Sequence, residues 1–117
     1  MQGKARENLE AGLLLLEAGL VNAAASRLYY ALFQAAVYAL ERQGKTPARL
    51  RRGARRWDHR MVGERASLVR GLAEDAVLFD ELRDLRGRAD YESSPVERRK
   101  VEFMKQEVER FVREVTT

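Results

Sequence analysis

The sequence predicts an all-α fold, an up-down bundle of about five helices, from three observations. The composition is rich in Ala, Leu, Glu and Arg and poor in β-branched residues, which is typical of helical proteins. Apolar residues recur at spacings of three and four, and glycine or proline stands in the gaps between these runs. With 117 residues, 45% of them hydrophobic, the chain is expected to form a single domain over residues 1–117.

The first two helices are predicted over residues 4–18 and 21–43. The first has one apolar face with 4, 4, 3 spacing, made by Ala5, Leu9, Leu13 and Leu16, and Gly19 is its stop signal. The second has a much wider apolar surface, made by Val21, Ala25, Leu28, Leu32, Ala36 and Ala39 with Tyr29, Phe33, Val37 and Leu40 beside them. This width predicts that the second helix is the most buried element.

Three further helices are predicted after a loop at residues 45–53. The third covers residues 55–71, with Trp57, Met61, Leu68 and Leu72 as its inward-facing candidates. The fourth covers residues 74–86, with the stripe Leu78, Leu82 and Leu85. The fifth is predicted to begin at a capping box, in which Ser94 is the N-cap, Pro95 the first helical residue and Glu97 the third. Its apolar face is Val101, Met104, Val108, Phe111 and Val115.

Several function classes are disfavoured by the composition. The absence of cysteine excludes disulfides, thiolate metal sites and cysteine nucleophiles. One histidine cannot form a zinc site without carboxylate partners, so neither a metal nor a cofactor is expected. The charged N-terminus does not resemble a signal peptide, and Arg27 would be costly at the centre of a membrane span, so a cytoplasmic location is expected.

The positive charge of the chain is concentrated in one segment. Residues 45–60 hold seven Lys or Arg against one Asp, a local charge of +6 in a chain whose net charge is +4. One interpretation is a solvated loop, the usual role of a charge run. The other is a basic surface that meets the phosphates of a nucleotide or RNA, or an acidic partner. Its candidate residues are Arg49, Arg51, Arg52, Arg55, Arg56 and Arg60.

Polar residues on the second helix form a seam at 3 and 4 spacing, made by Arg27, Tyr30 and Gln34. The seam either faces water or binds an anion or a carboxylate from another helix. Tyr29 and Tyr30 each need a polar partner for the hydroxyl if they are buried. His59, taken alone, is a structural or surface histidine more often than a catalytic one.

Two motifs together resemble the HEPN family (higher eukaryotes and prokaryotes nucleotide-binding). The first lies in "AAASRLYYALFQAAVYAL", where Ala24, Arg27, Tyr29, Tyr30, Ala31 and Phe33 match the helix-2 pattern of that family. The second is "RGRADYE", with Arg86, Ala89, Asp90 and Tyr91. A weaker third element is "WDHRMV", with His59 opening a helix.

The resemblance implies a five-helix domain that forms a homodimer, often paired with a minimal nucleotidyltransferase in a toxin–antitoxin-like system. Many members are metal-independent endoribonucleases that use an arginine followed, four to six residues later, by a histidine. No histidine follows Arg83 or Arg86 here, and Asp90 stands in that region. The departure favours a nucleotide- or partner-binding module over an endoribonuclease toxin, the alternative whose catalytic candidates are Arg86, Asp90 and His59. In some members the partner enzyme adenylylates a tyrosine just after that histidine, and Tyr91 lies close to the corresponding position in this sequence.

The resemblance also implies a ligand-binding site on two helices. Its candidate residues are Arg27, Tyr30, Arg86, Asp90 and Tyr91, with the last three facing the first two. A structural alternative remains at this point, because Asp90 can instead pair with Arg27 and fasten the fourth helix to the second.

Overall fold

The computed structural model describes residues 2–47, 52–91 and 97–117, apart from the side chains of Asp90 and Tyr91. Within these ranges it contains the helices α1 (Gln2–Glu17), α2 (Val21–Arg42), α3 (His59–Arg70), α4 (Glu74–Tyr91) and α5 (Arg98–Val115), and no strand. The predicted all-α bundle of five helices is confirmed.

Helix α2 lies at the centre of the bundle. It contacts each of the other four described helices. It also contributes more buried residues than any of them: Ala24, Ala25, Leu28, Tyr29, Ala31, Leu32, Ala35, Ala36, Val37, Ala39 and Leu40. The prediction that the second helix is the most buried element is therefore confirmed for the described helices.

Two glycines end α1 and α2 as predicted. Gly19 has φ +82 and Gly44 has φ +78, the left-handed conformation that other residues adopt only at a cost. The amide of Leu20 then donates to the carbonyl of Leu15 at 2.9 Å, and that of Lys45 donates to Leu40 at 3.0 Å. These hydrogen bonds satisfy backbone carbonyls in the last helical turns that have no donor within the helix.

Helix α3 begins later than predicted, because Asp58 is its N-cap. Asp58 has extended backbone angles, and its carboxylate accepts a hydrogen bond from the amide of Met61 at 2.7 Å. The helix therefore starts at His59 rather than at residue 55.

The inward face of α3 also differs from the prediction. Met61 is buried, but Leu68 and Leu72 are 53% and 37% exposed. The buried residues of this helix are Met61, Val62 and Ala66. Val62 follows Met61 by one position, which is a rotation of about 100° around the helix axis. The buried face is therefore rotated away from the predicted one, and Leu68 lies outside it.

The boundary between α4 and α5 was predicted wrongly at both ends. Helix α4 continues to Tyr91, five residues past the predicted end, because Gly87 keeps helical backbone angles and does not act as a stop. Helix α5 begins at Arg98 with Glu97 as its N-cap and no side-chain capping bond, so the predicted capping box is wrong at Glu97. Ser94 and Pro95 lie outside the described residues.

We expect Gly12→Ala to destabilise the bundle by about 1–3 kcal/mol, the usual cost of overpacking. A Cβ at Gly12 would lie 2.8 Å from Leu28 Cδ2 and 3.3 Å from the backbone nitrogen of Leu28, where α1 crosses α2. Gly87→Ala is the matched control, because its Cβ meets nothing within 4 Å and the site is helical. Urea unfolding should show a loss for the first variant and a small gain for the second. Equal stability of the two variants would contradict the close packing of α1 on α2.

Candidate functional site

Three helices bring aromatic, imidazole and guanidinium groups together at one side of α2. Tyr29 and Tyr30 come from α2, His59 is the first residue of α3, and Arg83 and Arg86 lie on one face of α4, three residues apart. We call these five residues the Tyr–His–Arg cluster. Its geometry follows from the packing of α3 and α4 on α2.

Tyr29 and His59 are joined directly in this cluster. The Tyr29 hydroxyl and Nδ1 of His59 form a hydrogen bond, and their ring centroids lie 5.3 Å apart. Tyr29 is fully buried and is held edge-on by Phe79, with 5.5 Å between the ring centroids. Phe33 packs on the imidazole at 4.9 Å. The buried tyrosine therefore has the polar partner that its burial requires.

Arg86 lies over the rings of both tyrosines. Its guanidinium carbon is 5.6 Å from the centroid of Tyr29 and 5.3 Å from that of Tyr30. These distances are within the range in which a cation is attracted by an aromatic face. The side chain is partly buried, so its guanidinium lies partly shielded from solvent beside the rings.

The arginines of α4 affect the pKa values of both Tyr29 and His59. Burial, with Arg83 and Arg86 nearby, lowers the pKa of His59 below its ordinary value, and Asp58 only partly opposes this. Burial also raises the pKa of the Tyr29 hydroxyl far above its ordinary value, although the two arginines favour the phenolate. At neutral pH both Tyr29 and His59 are therefore uncharged, and the arginines supply the positive charge of the cluster.

The other predicted site residue of α2, Arg27, is directed to a different helix. Its guanidinium donates to the side-chain oxygen of Asn8 on α1 at 3.0 Å, and the Asn8 amide donates to Gln34 at 2.7 Å. Arg27 is exposed. The polar seam of α2 thus divides, because Arg27 and Gln34 bind α1 whereas Tyr30 faces Arg86.

Asp90 and Tyr91 occupy the last turn of α4, one turn after Arg86. Their side chains lie outside the described residues, so the predicted roles of both residues stay predictions. The pairing of Asp90 with Arg27 stays a prediction for the same reason.

The basic surface is described in part. Arg52, Arg55, Arg56 and Arg60 are exposed, whereas Arg49 and Arg51 lie outside the described residues. Arg60 pairs with Glu64 one turn along α3 at 3.1 Å. Trp57, which precedes α3, packs partly buried against the core. The described arginines of the basic surface are therefore exposed, and they lie in the segment around the N-terminus of α3, close to His59 in the sequence.

Two further properties bear on the chemistry. Among the described residues, no group of three or more His, Asp or Glu side chains is arranged to hold a metal ion. No helix within residues 2–47, 52–91 and 97–117 is long and apolar enough to cross a bilayer. The Tyr–His–Arg cluster combines two guanidinium groups and one imidazole, which are groups that bind anions, with two tyrosine rings.

Sequence reasoning identified three of the five cluster residues as site candidates, namely Tyr30, His59 and Arg86. It missed Arg83, whose signal is its position three residues before Arg86 on the same helix face. It noted that a buried Tyr29 needs a partner but did not identify His59 as that partner. The pairing depends on how α3 packs against α2, which spacing along one helix cannot show.

Comparison with known proteins gives one finding for the whole chain. A family model, described as the HEPN domain, matches residues 2–117. A search of curated proteins found no match. The match covers all five described helices and every residue of the Tyr–His–Arg cluster. The chain therefore belongs to the HEPN domain family.

Proposed function

We propose that this protein is a nucleotide-binding module that holds the phosphates of its ligand in the Tyr–His–Arg cluster. Membership of the HEPN family supports a nucleotide-binding or RNase-like module. The observation that carries the proposal is the position of Arg86, which lies over the rings of Tyr29 and Tyr30 near His59.

A phosphate suits the charges and shapes of this cluster. Guanidinium groups present planar donors that match phosphate oxygens, and their bonds to phosphate are stronger than neutral ones. Arg83 lies on the same face of α4 and acts on the same imidazole, so the two cations reinforce each other. Neutral His59 adds a hydrogen-bond donor without adding a third positive charge, which Arg83 and Arg86 would repel.

The proposal includes the partners that the family resemblance implies. The protein acts in the cytoplasm with a minimal nucleotidyltransferase, as one component of a toxin–antitoxin-like system, and as a homodimer. Tyr29 is buried and Phe33 partly buried within one chain, so the support for a dimer comes from the family resemblance and not from exposed aromatic residues of α2. Sedimentation at micromolar concentration tests the homodimer, and co-purification with a co-expressed nucleotidyltransferase tests the pairing.

The binding function is tested with ATP as the probe. Isothermal titration of the purified chain with ATP should give saturable binding, and a single-stranded RNA incubated with the chain and a metal chelator should remain intact. Absence of ATP binding at millimolar ligand would contradict the proposal.

A second candidate function is a metal-independent endoribonuclease. The observation that favours it is that His59 lies in the same cluster as Arg83 and Arg86, so an arginine–histidine combination exists although no histidine follows Arg86. In this function the chain would cut RNA in the presence of a chelator. Both Arg86→Ala and His59→Ala would then abolish cutting.

We also propose that the basic surface attracts nucleic-acid phosphates. Replacing Arg52, Arg55 and Arg56 with glutamine is expected to weaken binding of a single-stranded RNA and to flatten its salt dependence. Each phosphate of the single strand that the protein no longer neutralises lowers the slope by about 0.7 units. Fluorescence anisotropy over a salt titration measures both effects.

The matched control for this experiment removes three cations from α5. Arg99, Lys100 and Arg110 are exposed residues of that helix. Their replacement with glutamine changes the net charge equally but should alter the slope less. If the two triple variants bind alike at every salt concentration, the basic surface contributes only solubility.

A further inference from the structure

The hydrogen bond between Tyr29 and His59 joins two groups that are both uncharged at neutral pH. A neutral imidazole carries one N–H and one lone pair, and which nitrogen holds the proton depends on the partner of each. Tyr29 is the partner of Nδ1. The direction of this one bond therefore decides what the other nitrogen, Nε2, offers to a ligand.

The chemistry of the pair favours one direction. A phenol O–H is a good donor, and the lone pair of a neutral imidazole nitrogen is a good acceptor. The reverse bond would use the phenol oxygen, a weaker acceptor, and would leave the hydroxyl proton in need of a second partner in a buried site. The Tyr29 ring has little freedom to turn away, because Phe79 and Tyr30 both pack edge-on against it at 5.5 Å.

We propose that Tyr29 is a positioning residue that holds neutral His59 with its proton on Nε2, so that His59 offers a hydrogen-bond donor to the bound phosphate. The inference rests on the proposed function for the identity of the ligand, and it adds the role of His59 at that site. A histidine in this state has no lone pair on Nε2, so it binds a phosphate oxygen rather than accepting a proton from a ribose hydroxyl. The arrangement thus suits binding better than RNA cleavage.

The role of Tyr29 holds at pH values above the pKa of His59, and the charged groups near His59 determine that pKa. Arg83 and Arg86 from α4 disfavour the imidazolium, Asp58 at the start of α3 favours it, and the buried Tyr29 stays protonated. When the pH falls far enough to protonate His59, both of its nitrogens carry protons. The choice of tautomer, and with it the role of Tyr29, then disappears.

The chain has a single histidine, so its nitrogen resonances can be assigned without ambiguity. In ¹⁵N-histidine NMR of the ligand-free chain above the pKa of His59, we expect the proton on Nε2 and an unprotonated, hydrogen-bonded Nδ1. In Tyr29→Phe the Nδ1 resonance should move toward that of an unbonded ring nitrogen. Tyr38→Phe is the matched control, because the Tyr38 hydroxyl accepts from Arg42 elsewhere on α2. A proton on Nδ1 in the unaltered chain, or an unchanged Nδ1 resonance in Tyr29→Phe, would overturn the inference.

Affinity for ATP supplies a second readout. At a pH well above the pKa of His59, Tyr29→Phe should weaken ATP binding about two- to tenfold, the effect of one neutral hydrogen bond. Below that pKa the variant should bind as the unaltered chain does at the same pH. An equal loss at both pH values would indicate a packing defect and overturn the positioning role. The tautomer measurement needs no ligand, so it stands apart from any failure of ATP to bind.

Discussion

Replacing Arg86 with alanine is expected to lower the affinity for ATP at least about 30-fold, since removing one partner of a desolvated charge pair costs about 2–5 kcal/mol. Arg86 is the cation that lies over the rings of both Tyr29 and Tyr30. The same change should raise the pKa of His59, because one of the positive charges that lower it is gone. Titration calorimetry and histidine NMR measure the two effects.

Two controls separate the role of Arg86 from a general loss of charge. Arg88 lies two residues further along α4, is 46% exposed and pairs with Asp84 at 3.2 Å, so Arg88→Ala should leave ATP affinity unchanged. Arg86→Lys keeps the charge but loses the planar guanidinium that can bind two phosphate oxygens, so it should restore little affinity. If Arg86→Ala binds ATP as tightly as Arg88→Ala does, the ligand site lies elsewhere.

The largest effect on stability is expected from Arg70→Ala, a loss of about 3–5 kcal/mol, the usual cost of removing one partner of a buried ion pair. Arg70 ends α3 and is only 8% exposed. It donates to both oxygens of Asp75 on α4 at 2.7 and 2.9 Å, and Asp75 is 2% exposed. It also binds Glu114 on α5 at 2.7 Å and lies over the ring of Phe111. The variant would leave the Asp75 carboxylate buried without this cation.

Arg113 provides the matched control for Arg70. It also joins two carboxylates, Glu109 at 3.0 Å and Glu10 at 3.2 Å, but it is 54% exposed. Arg113→Ala should therefore cost about 1 kcal/mol or less. Replacing Asp75 with alanine in the Arg70→Ala background should recover part of the lost stability, because the stranded charge is removed. Equal losses for Arg70→Ala and Arg113→Ala in urea unfolding would contradict the buried ion pair.

The helices could be predicted from the sequence because their signal is local. Spacings of three and four place Leu78, Leu82 and Leu85 on one face of α4, and all three are buried. The ends were harder to predict, because the same residue can be a stop or part of a helix. Gly44 stops α2 with a positive φ, whereas Gly87 continues α4. The tertiary context of each glycine decides between these outcomes.

The candidate site could be predicted only residue by residue. His59 and Arg86 were identified as candidates from their residue types and the family resemblance. In the sequence, however, 26 residues lie between them. Their meeting depends on α3 and α4 both packing on α2. Arg27 matches the family pattern as well as Tyr30 does, yet its hydrogen bond goes to Asn8. Which side of α2 each residue faces follows from the whole bundle and not from the motif.

A titration of the ¹⁵N-histidine-labelled chain with ATP tests directly whether the Tyr–His–Arg cluster holds the phosphates of a nucleotide. We expect saturable shifts of the His59 nitrogen resonances in the unaltered chain and in Arg88→Ala, and much weaker binding in Arg86→Ala. ATP that binds with equal affinity to all three chains, or that saturates the protein while the His59 resonances stay unchanged, would contradict this expectation.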